Sequence, residues 1–164
     1  MRKELDEQLC EKYPLIFRDR NADPNKTCMY WGFECGDGWY NIVDAMCANI
    51  QGHINNRLDS IKWTEKWNRE VEEAEASHFE DWPDWKARDK RPLPEPIPQV
   101  VAIQVKEKFG SLRFYYSGGD DYIDGVVSMA ESMSYRTCEE CGAPGTSTQG
   151  GWVRTLCEEH KNGS

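Results

Sequence analysis

The sequence predicts an α+β fold: a helical N-terminal part, then one β-hairpin with a helix, then a small C-terminal unit rich in cysteine. Three observations predict this. Apolar residues recur every three or four positions after Trp39, apolar and polar residues alternate on both sides of residues 108–111, and cysteine and histidine residues are paired near the C-terminus. With 164 residues, the chain can form one domain with a core, or one domain and an appendage. We divide it into a mainly helical part (1–91), a proline-rich connector (92–98), a hairpin and helix packed on the helical part (99–135), and the cysteine-rich unit (136–164).

Residues 2–13 predict a short first helix. Leu5, Leu9 and Tyr13 share one stripe at helical spacing, and Pro14 ends the helix because it cannot continue the hydrogen-bond ladder. A polar loop follows over residues 19–27.

Residues 29–39 are dense in glycine and aromatic side chains. We expect a tight turn that buries Trp31, Phe33 and Trp39, with Asp37 as N-cap of the next helix. The glycine spacing does not match a dinucleotide-binding fingerprint. A ligand cradle in this stretch stays open as an alternative.

A long helix is predicted to begin at Trp39. Its apolar stripe consists of Trp39, Val43, Cys47, Ile50, Ile54, Leu58 and Ile61, and the pattern continues through Trp63, Trp67, Val71 and Ala74. Residues 65–84 carry eight acidic residues against Lys66 and Arg69. This stretch is either a solvated helix face or a protein-binding surface, since aromatic side chains beside a charged rim are typical of interfaces. The candidate partner-binding residues are Trp63, Trp67, Phe79, Trp82 and Trp85.

A basic run follows the acidic stretch and gives a second, alternative surface. Its candidate nucleic-acid-binding residues are Lys86, Arg88, Lys90 and Arg91, to which Lys106, Lys108 and Arg113 can be added.

The connector and the segments after it have distinct patterns. Residues 92–98 predict extended polyproline. Val101, Ile103 and Val105 alternate with polar neighbours, as do Leu112, Phe114 and Tyr116, so a β-hairpin with one buried face is predicted. Asp120 is expected to cap a helix whose apolar stripe is Tyr122, Val126, Met129 and Met133.

The strongest chemical signal is a C-x2-C-x15-C-x2-H quartet formed by Cys138, Cys141, Cys157 and His160. Three thiolates and one imidazole at this spacing fit a tetrahedral Zn²⁺. A Cys138–Cys141 disulfide is the alternative, but it leaves the second pair unexplained. Because four protein ligands close the metal to water, we expect a structural zinc.

The C-terminal unit has the order ligand pair, short strand, ligand pair, which is typical of zinc-ribbon and treble-clef-like units. Its acidic residues slightly outnumber its basic ones, and a zinc site with three thiolates is itself negative. Zinc fingers that bind DNA through phosphates need a basic face. The quartet therefore predicts a metal site more strongly than a nucleic-acid site.

Charge and cysteine content suggest a reduced, acidic protein. Twenty basic residues against twenty-nine acidic ones leave a formal charge of −9, which makes polyanions poor partners. The seven cysteines are odd in number, Met1–Asp6 is not a signal peptide, and the sequence has no long apolar run, so we expect a cytoplasmic protein and no membrane partner.

Catalysis is not expected. With three histidines, one of them a metal ligand, neither a Ser-His-Asp nor a Cys-His arrangement can be argued. His78-Phe-Glu80 spells the H-x-E of zinc deaminases, but Thr137 stands where they have proline, and Cys157 and His160 would fill the position that they leave to water.

Three stretches of the sequence form a recognisable combination: Trp31–Trp39, Val105–Tyr116 and the segment from Cys138 to Cys157. Together they resemble a family of small proteins encoded by tailed bacteriophages and prophages, with a C-terminal CxxC…CxxH zinc knuckle. The resemblance supplies no activity. It implies the cytoplasm of a bacterial host and an accessory role in host takeover or evasion of host defence.

Three functions agree with these features of the sequence. The first is a non-catalytic phage accessory protein that binds and modulates or inhibits a bacterial host protein, such as a defence protein, with a structural zinc. The second is a nucleic-acid-binding zinc protein. The third is a protein that sequesters a small ligand or nucleotide in residues 29–39.

Overall fold

The computed structural model describes residues 1–25, 27–77, 88–148 and 151–162, and it confirms the α+β fold. The helices are α1 (Lys3–Lys12), α2 (Tyr40–Ala76), α3 (Asp121–Ser134) and α4 (Glu158–Asn162). The strands are β1 (Phe33–Glu34), β2 (Val101–Lys108), β3 (Ser111–Ser117), β4 (Thr146–Ser147) and β5 (Thr155–Leu156). The chain forms two compact units, one of residues 1–52 and 98–164 and one of residues 53–97.

The first unit is built on a three-stranded sheet of order β1-β2-β3. The predicted hairpin is confirmed, and β1 lies parallel to β2 on its other side. The burial of Ile103, however, was predicted wrongly. The register shifts between Ala102 and Gln104, so Ile103 has no partner on β3 and is exposed.

The segment before α2 packs differently from the prediction in two places. Phe33 and Trp39 are buried as expected, but Trp31 is 67% exposed, and Met29 fills the core instead. Asp37 does not cap α2: its carboxylate pairs with Arg2, and a 3-10 turn over Asp37–Trp39 leads directly into the helix.

Helix α2 confirms the long helical pattern. Its stripe is buried at Val43, Cys47, Ile50 and Ile54, whereas Leu58 is exposed, contrary to the prediction. Among the described residues, no helix is long and apolar enough to cross a membrane.

Helix α3 begins as predicted, but its buried face is rotated relative to the predicted stripe. Asp120 accepts a hydrogen bond from the Ile123 N–H at 3.2 Å, which confirms the cap. Of the predicted stripe only Val126 is buried, while Tyr122, Met129 and Met133 are exposed. The buried face instead comprises Ile123, Val126, Val127, Ala130 and Ser134.

The orientation of α3 follows from the edge of the sheet. The N–H of Leu112 on β3 donates to Ser134 Oγ at 2.8 Å, and the N–H of Phe114 donates to Glu131 Oε1 at 3.0 Å. Backbone donors need partners when they are covered. The polar residues that satisfy them fix which face of the helix meets the strand.

Candidate metal centre

The structure brings the four predicted ligands together. Cys138 and Cys141 lie in the loop after α3, Cys157 directly precedes α4, and His160 is on α4. Their ligand atoms all lie within 4.8 Å of one another. The Cys141 and Cys157 sulfurs are 3.7 Å apart, and His160 Nδ1 is 3.6 Å from the Cys138 sulfur and 3.1 Å from the Cys157 sulfur. These residues could hold a metal ion.

A tight backbone turn forms the first ligand pair. The Gly142 N–H donates to the Cys138 carbonyl at 2.9 Å, and Gly142 has a φ of +77°, which glycine adopts without strain. The Glu139 N–H donates to the Thr155 carbonyl on β5 at 2.9 Å, which ties this turn to the strand before the second ligand pair. The short helix α4 then places His160 beside Cys157.

The turn is docked on the glycine-rich segment near the N-terminus. The Gly38 N–H donates to the Glu139 carbonyl at 2.8 Å, the Gly36 N–H donates to Glu139 Oε1 at 3.0 Å, and the Trp39 indole donates to the Thr137 carbonyl at 2.8 Å. The cysteine-rich unit of residues 136–164, which holds the candidate metal site and is here called the metal-binding unit, is therefore joined to the fold in part through this segment.

The glycines of this segment are needed for that close approach. A Cβ at Gly36 would lie less than 3.0 Å from Glu139, and one at Gly38 would lie less than 3.0 Å from Cys138, Cys141 and Gly142. At Gly32 a Cβ would meet Asp6 and Arg20 instead. The space that a ligand cradle would need beside these glycines is filled by protein atoms.

The hydrogen bonds and charges within the quartet favour the metal-binding form of Cys157 but the protonated form of His160. The backbone N–H and the side chain of His160 lower the pKa of the Cys157 thiol to about 6, which favours the thiolate. The Cys157 and Cys138 sulfurs raise the pKa of His160. Metals bind thiolate and neutral imidazole, so a metal ion would displace the remaining protons.

Two of the three lysine and arginine residues of this unit, Arg154 and Lys161, pair with its own acids. Arg154 forms ion pairs with Glu139 at 3.5 Å and with Glu140, and Lys161 pairs with Glu158 at 2.9 Å. These pairs leave little positive charge for a polyanion. All seven cysteines are free thiols, so the alternative Cys138–Cys141 disulfide is not formed.

The predicted partner surface lies in the second unit, and the structure describes part of it. Trp63 and Trp67 on α2 stack with ring centroids 5.8 Å apart, and Trp63 is 49% exposed. Phe79, Trp82 and Trp85 lie outside the described residues, as does Lys86.

The described members of the basic run contact α2. Arg91 lies over both tryptophan rings, at 4.6 Å from Trp63 and 4.7 Å from Trp67. Arg88 lies 5.2 Å from the Trp67 ring, and Lys90 pairs with Glu72 at 2.9 Å. The described residues of the two predicted surfaces thus lie against each other within this unit.

Two exposed aromatic residues were missed as candidates from the sequence. Phe109 lies in the turn between β2 and β3, and Trp152 lies just before β5. Both line one concavity beside the metal-binding unit. The sequence did contain one sign that Phe109 is unusual: it directly precedes glycine in the predicted two-residue turn, where asparagine or aspartate is usual.

Chemically, the centre is a set of soft ligands held by backbone hydrogen bonds and by the packing of Gly36 and Gly38.

The chain was compared with protein-family models, with curated proteins and with solved structures, and it matches none of them.

Proposed function

We propose that the four ligands bind one zinc ion. A tetrahedral zinc with usual bond lengths places two sulfurs about 3.8 Å apart, and a sulfur and a nitrogen about 3.6 Å apart. The 3.7 Å between Cys141 and Cys157 and the 3.6 Å between Cys138 and His160 agree with these values. The 3.1 Å from Cys157 to His160 is shorter and needs a small widening.

The zinc is structural in this proposal. Four protein ligands complete the tetrahedron, so no position is left for a reacting water. The ligand turn also supplies the acceptors for Gly36, Gly38 and Trp39, which connects the metal to the core. Zinc binding then contributes directly to folding.

The chain, in our proposal, acts without catalysis by binding a bacterial host protein. The observation that carries this is the platform of Trp63, Trp67 and Arg91, in which two stacked indoles are capped by one guanidinium. Tryptophan and arginine are enriched among residues that dominate binding energy. A platform that is already assembled loses little side-chain freedom on binding.

The backbone around the platform is fixed as well. The Asn68 side chain donates to the Arg91 carbonyl at 2.8 Å and accepts from the Arg91 N–H at 2.8 Å. This pair holds Arg91 over the rings. The same contacts support the protein-binding hypothesis over the nucleic-acid hypothesis, because Arg88, Lys90 and Arg91 already engage groups on α2.

Site-specific photo-crosslinking in bacterial host cells tests this function. A benzoylphenylalanine replaces Trp63 in one protein and Glu65, an exposed residue two positions further along α2, in the matched control. We expect one discrete crosslinked host protein at position 63, absent at position 65 and reduced by Trp67→Ala. With the purified pair, Trp67→Ala should weaken binding about 30-fold, the effect of a residue worth about 2 kcal/mol. The same crosslinks at both positions would contradict the proposal.

A further inference from the structure

A second aromatic site lies where the hairpin meets the metal-binding unit. Phe109 is 71% exposed and Trp152 is 78% exposed. With Glu107, Lys108, Gly151 and Val153 they line a concavity of about 340 Å³, here called the aromatic slot. Its volume is within the range of sites that hold small ligands or single side chains.

The two loops that form the slot are fastened together. The Thr155 hydroxyl donates to the Gly110 carbonyl at 2.6 Å, and this bond is buried. The Gly110 N–H donates to Glu107 Oε1 at 2.7 Å, and Gly110 lies close to Val153. These hydrogen bonds hold the backbone that carries Phe109 and Trp152, so less conformational entropy is lost when a ligand binds.

The backbone at Phe109 indicates that the turn is not optimised for folding alone. Phe109 has a φ of +54°, and no other non-glycine residue in the described part of the chain has a positive φ. Both central residues of a type I′ turn need positive φ, and asparagine followed by glycine is the favoured pair. A strained residue that is also exposed is typical of a functional position.

Charges around the slot indicate what it can bind. The Lys108 ammonium lies 5.6 Å from the Phe109 ring, and the Lys106 ammonium lies 5.6 Å from the Tyr115 ring. Neither lysine forms an ion pair with another described residue. The carboxylate of Glu107, which also lines the slot, accepts the Gly110 N–H within the turn, and the lysines supply the local positive charge.

We propose that the aromatic slot binds an aromatic side chain of a partner protein, in a segment whose neighbouring carboxylates reach Lys108 and Lys106. The ring stacks between Phe109 and Trp152, a contact that is favourable for any flat apolar side chain. The lysines select acidic flanking residues. This inference rests on the proposed protein-binding function but uses a different surface from the Trp63 platform.

Peptide titration of the zinc-loaded full chain tests the slot. The probe is the blocked tripeptide acetyl-Glu-Phe-Glu-amide, followed by the indole resonance of Trp152 and the amide resonances of Gly110 and Gly151. Controls are the same peptide with alanine in place of phenylalanine, the same peptide with lysine in place of both glutamates, and an octamer of deoxythymidylate. We expect the first peptide to bind at least tenfold more tightly than each control.

Matched variants locate the binding to the slot. Trp152→Ala should abolish the response, whereas Trp31→Ala, which removes another exposed tryptophan of the same unit, should leave it unchanged. Lys108→Gln should weaken binding about two- to fivefold, as expected for an exposed ion pair. Phe109→Asn, which the turn accepts readily, is a second variant that keeps the fold while removing one wall of the slot.

Three results would overturn the inference: equal binding of the alanine peptide, tighter binding of the oligonucleotide, or unchanged affinity in Trp152→Ala. The same titration with Trp63→Ala/Trp67→Ala separates this inference from the proposed function. That protein should bind the peptide normally, while it fails to crosslink its host partner.

Discussion

Replacing Gly38 with alanine should break the contact between the ligand turn at Cys138–Gly142 and the segment Gly36–Trp39. A methyl group there would lie less than 3.0 Å from backbone atoms of Cys138, Cys141 and Gly142, none of which can rotate away. The hydrogen bonds from Gly38, Gly36 and Trp39 to the ligand turn, at 2.8, 3.0 and 2.8 Å, would be lost or lengthened.

The magnitude follows from these three bonds. Each contributes about 1 kcal/mol net, so the free energy of unfolding should fall by about 3 kcal/mol. For a chain of this size that corresponds to a melting temperature lower by about 6–12 °C. The matched control is Gly125→Ala in α3, where a Cβ has no heavy atom within 4 Å. It should stabilise the protein by about 0.5–1 kcal/mol, because alanine is the better helix former.

Urea unfolding followed by circular dichroism measures both variants, and a colorimetric chelator measures the rate of zinc release. Gly38→Ala should unfold at lower urea and release zinc faster than the wild-type protein, and Gly125→Ala should do neither. A Gly38→Ala protein as stable as Gly125→Ala, with the same rate of zinc release, would refute the reasoning.

Three further predictions concern folding and reactivity. Phe109→Asn should raise the unfolding free energy by about 1 kcal/mol in urea titrations, because asparagine tolerates positive φ; a loss would contradict the strained turn. Asp120→Ala should lower it by about 1 kcal/mol through loss of the α3 cap, and an unchanged value would count against that cap. At pH 8, iodoacetamide should label Cys28, which is exposed, but not Cys35 or Cys47, as mass spectrometry can show. Burial raises the pKa of Cys35 to about 12 and also raises the pKa of Cys47, so both stay protonated until the protein unfolds; rapid labelling of either would contradict their burial. Since these pKa values are raised on folding, the stability that the two thiols contribute is present at neutral pH and is lost as the pH rises above their ordinary value of 9.0.

The sequence predicted best what depends on spacing within one segment. The ligand quartet, the hairpin turn and the α3 cap each follow from residues a few positions apart, or from paired motifs with standard separations. Each is present in the structure.

What the sequence could not predict depends on contacts between distant segments. Helix α3 carries two apolar stripes, and the one that is buried lies on the side where Glu131 and Ser134 accept hydrogen bonds from β3. The glycines at 36 and 38 give no local sign that a turn 100 residues away packs on them. Their role becomes visible only when both segments are seen together.

The two proposed binding surfaces were likewise only partly visible in the sequence. The acidic and aromatic pattern around Trp63 and Trp67 was visible in the sequence, but the capping of both rings by Arg91 required the fold of residues 88–97 onto α2. Phe109 and Trp152 are 43 positions apart, so the slot that they share could not be inferred from either segment.

Zinc K-edge X-ray absorption of the purified protein, with metal content measured on the same sample, shows whether the four residues hold zinc. We expect one zinc per chain, with three sulfur ligands at about 2.3 Å and one nitrogen at about 2.0–2.1 Å. Protein that is folded without zinc, or a zinc shell dominated by oxygen and nitrogen, would contradict it.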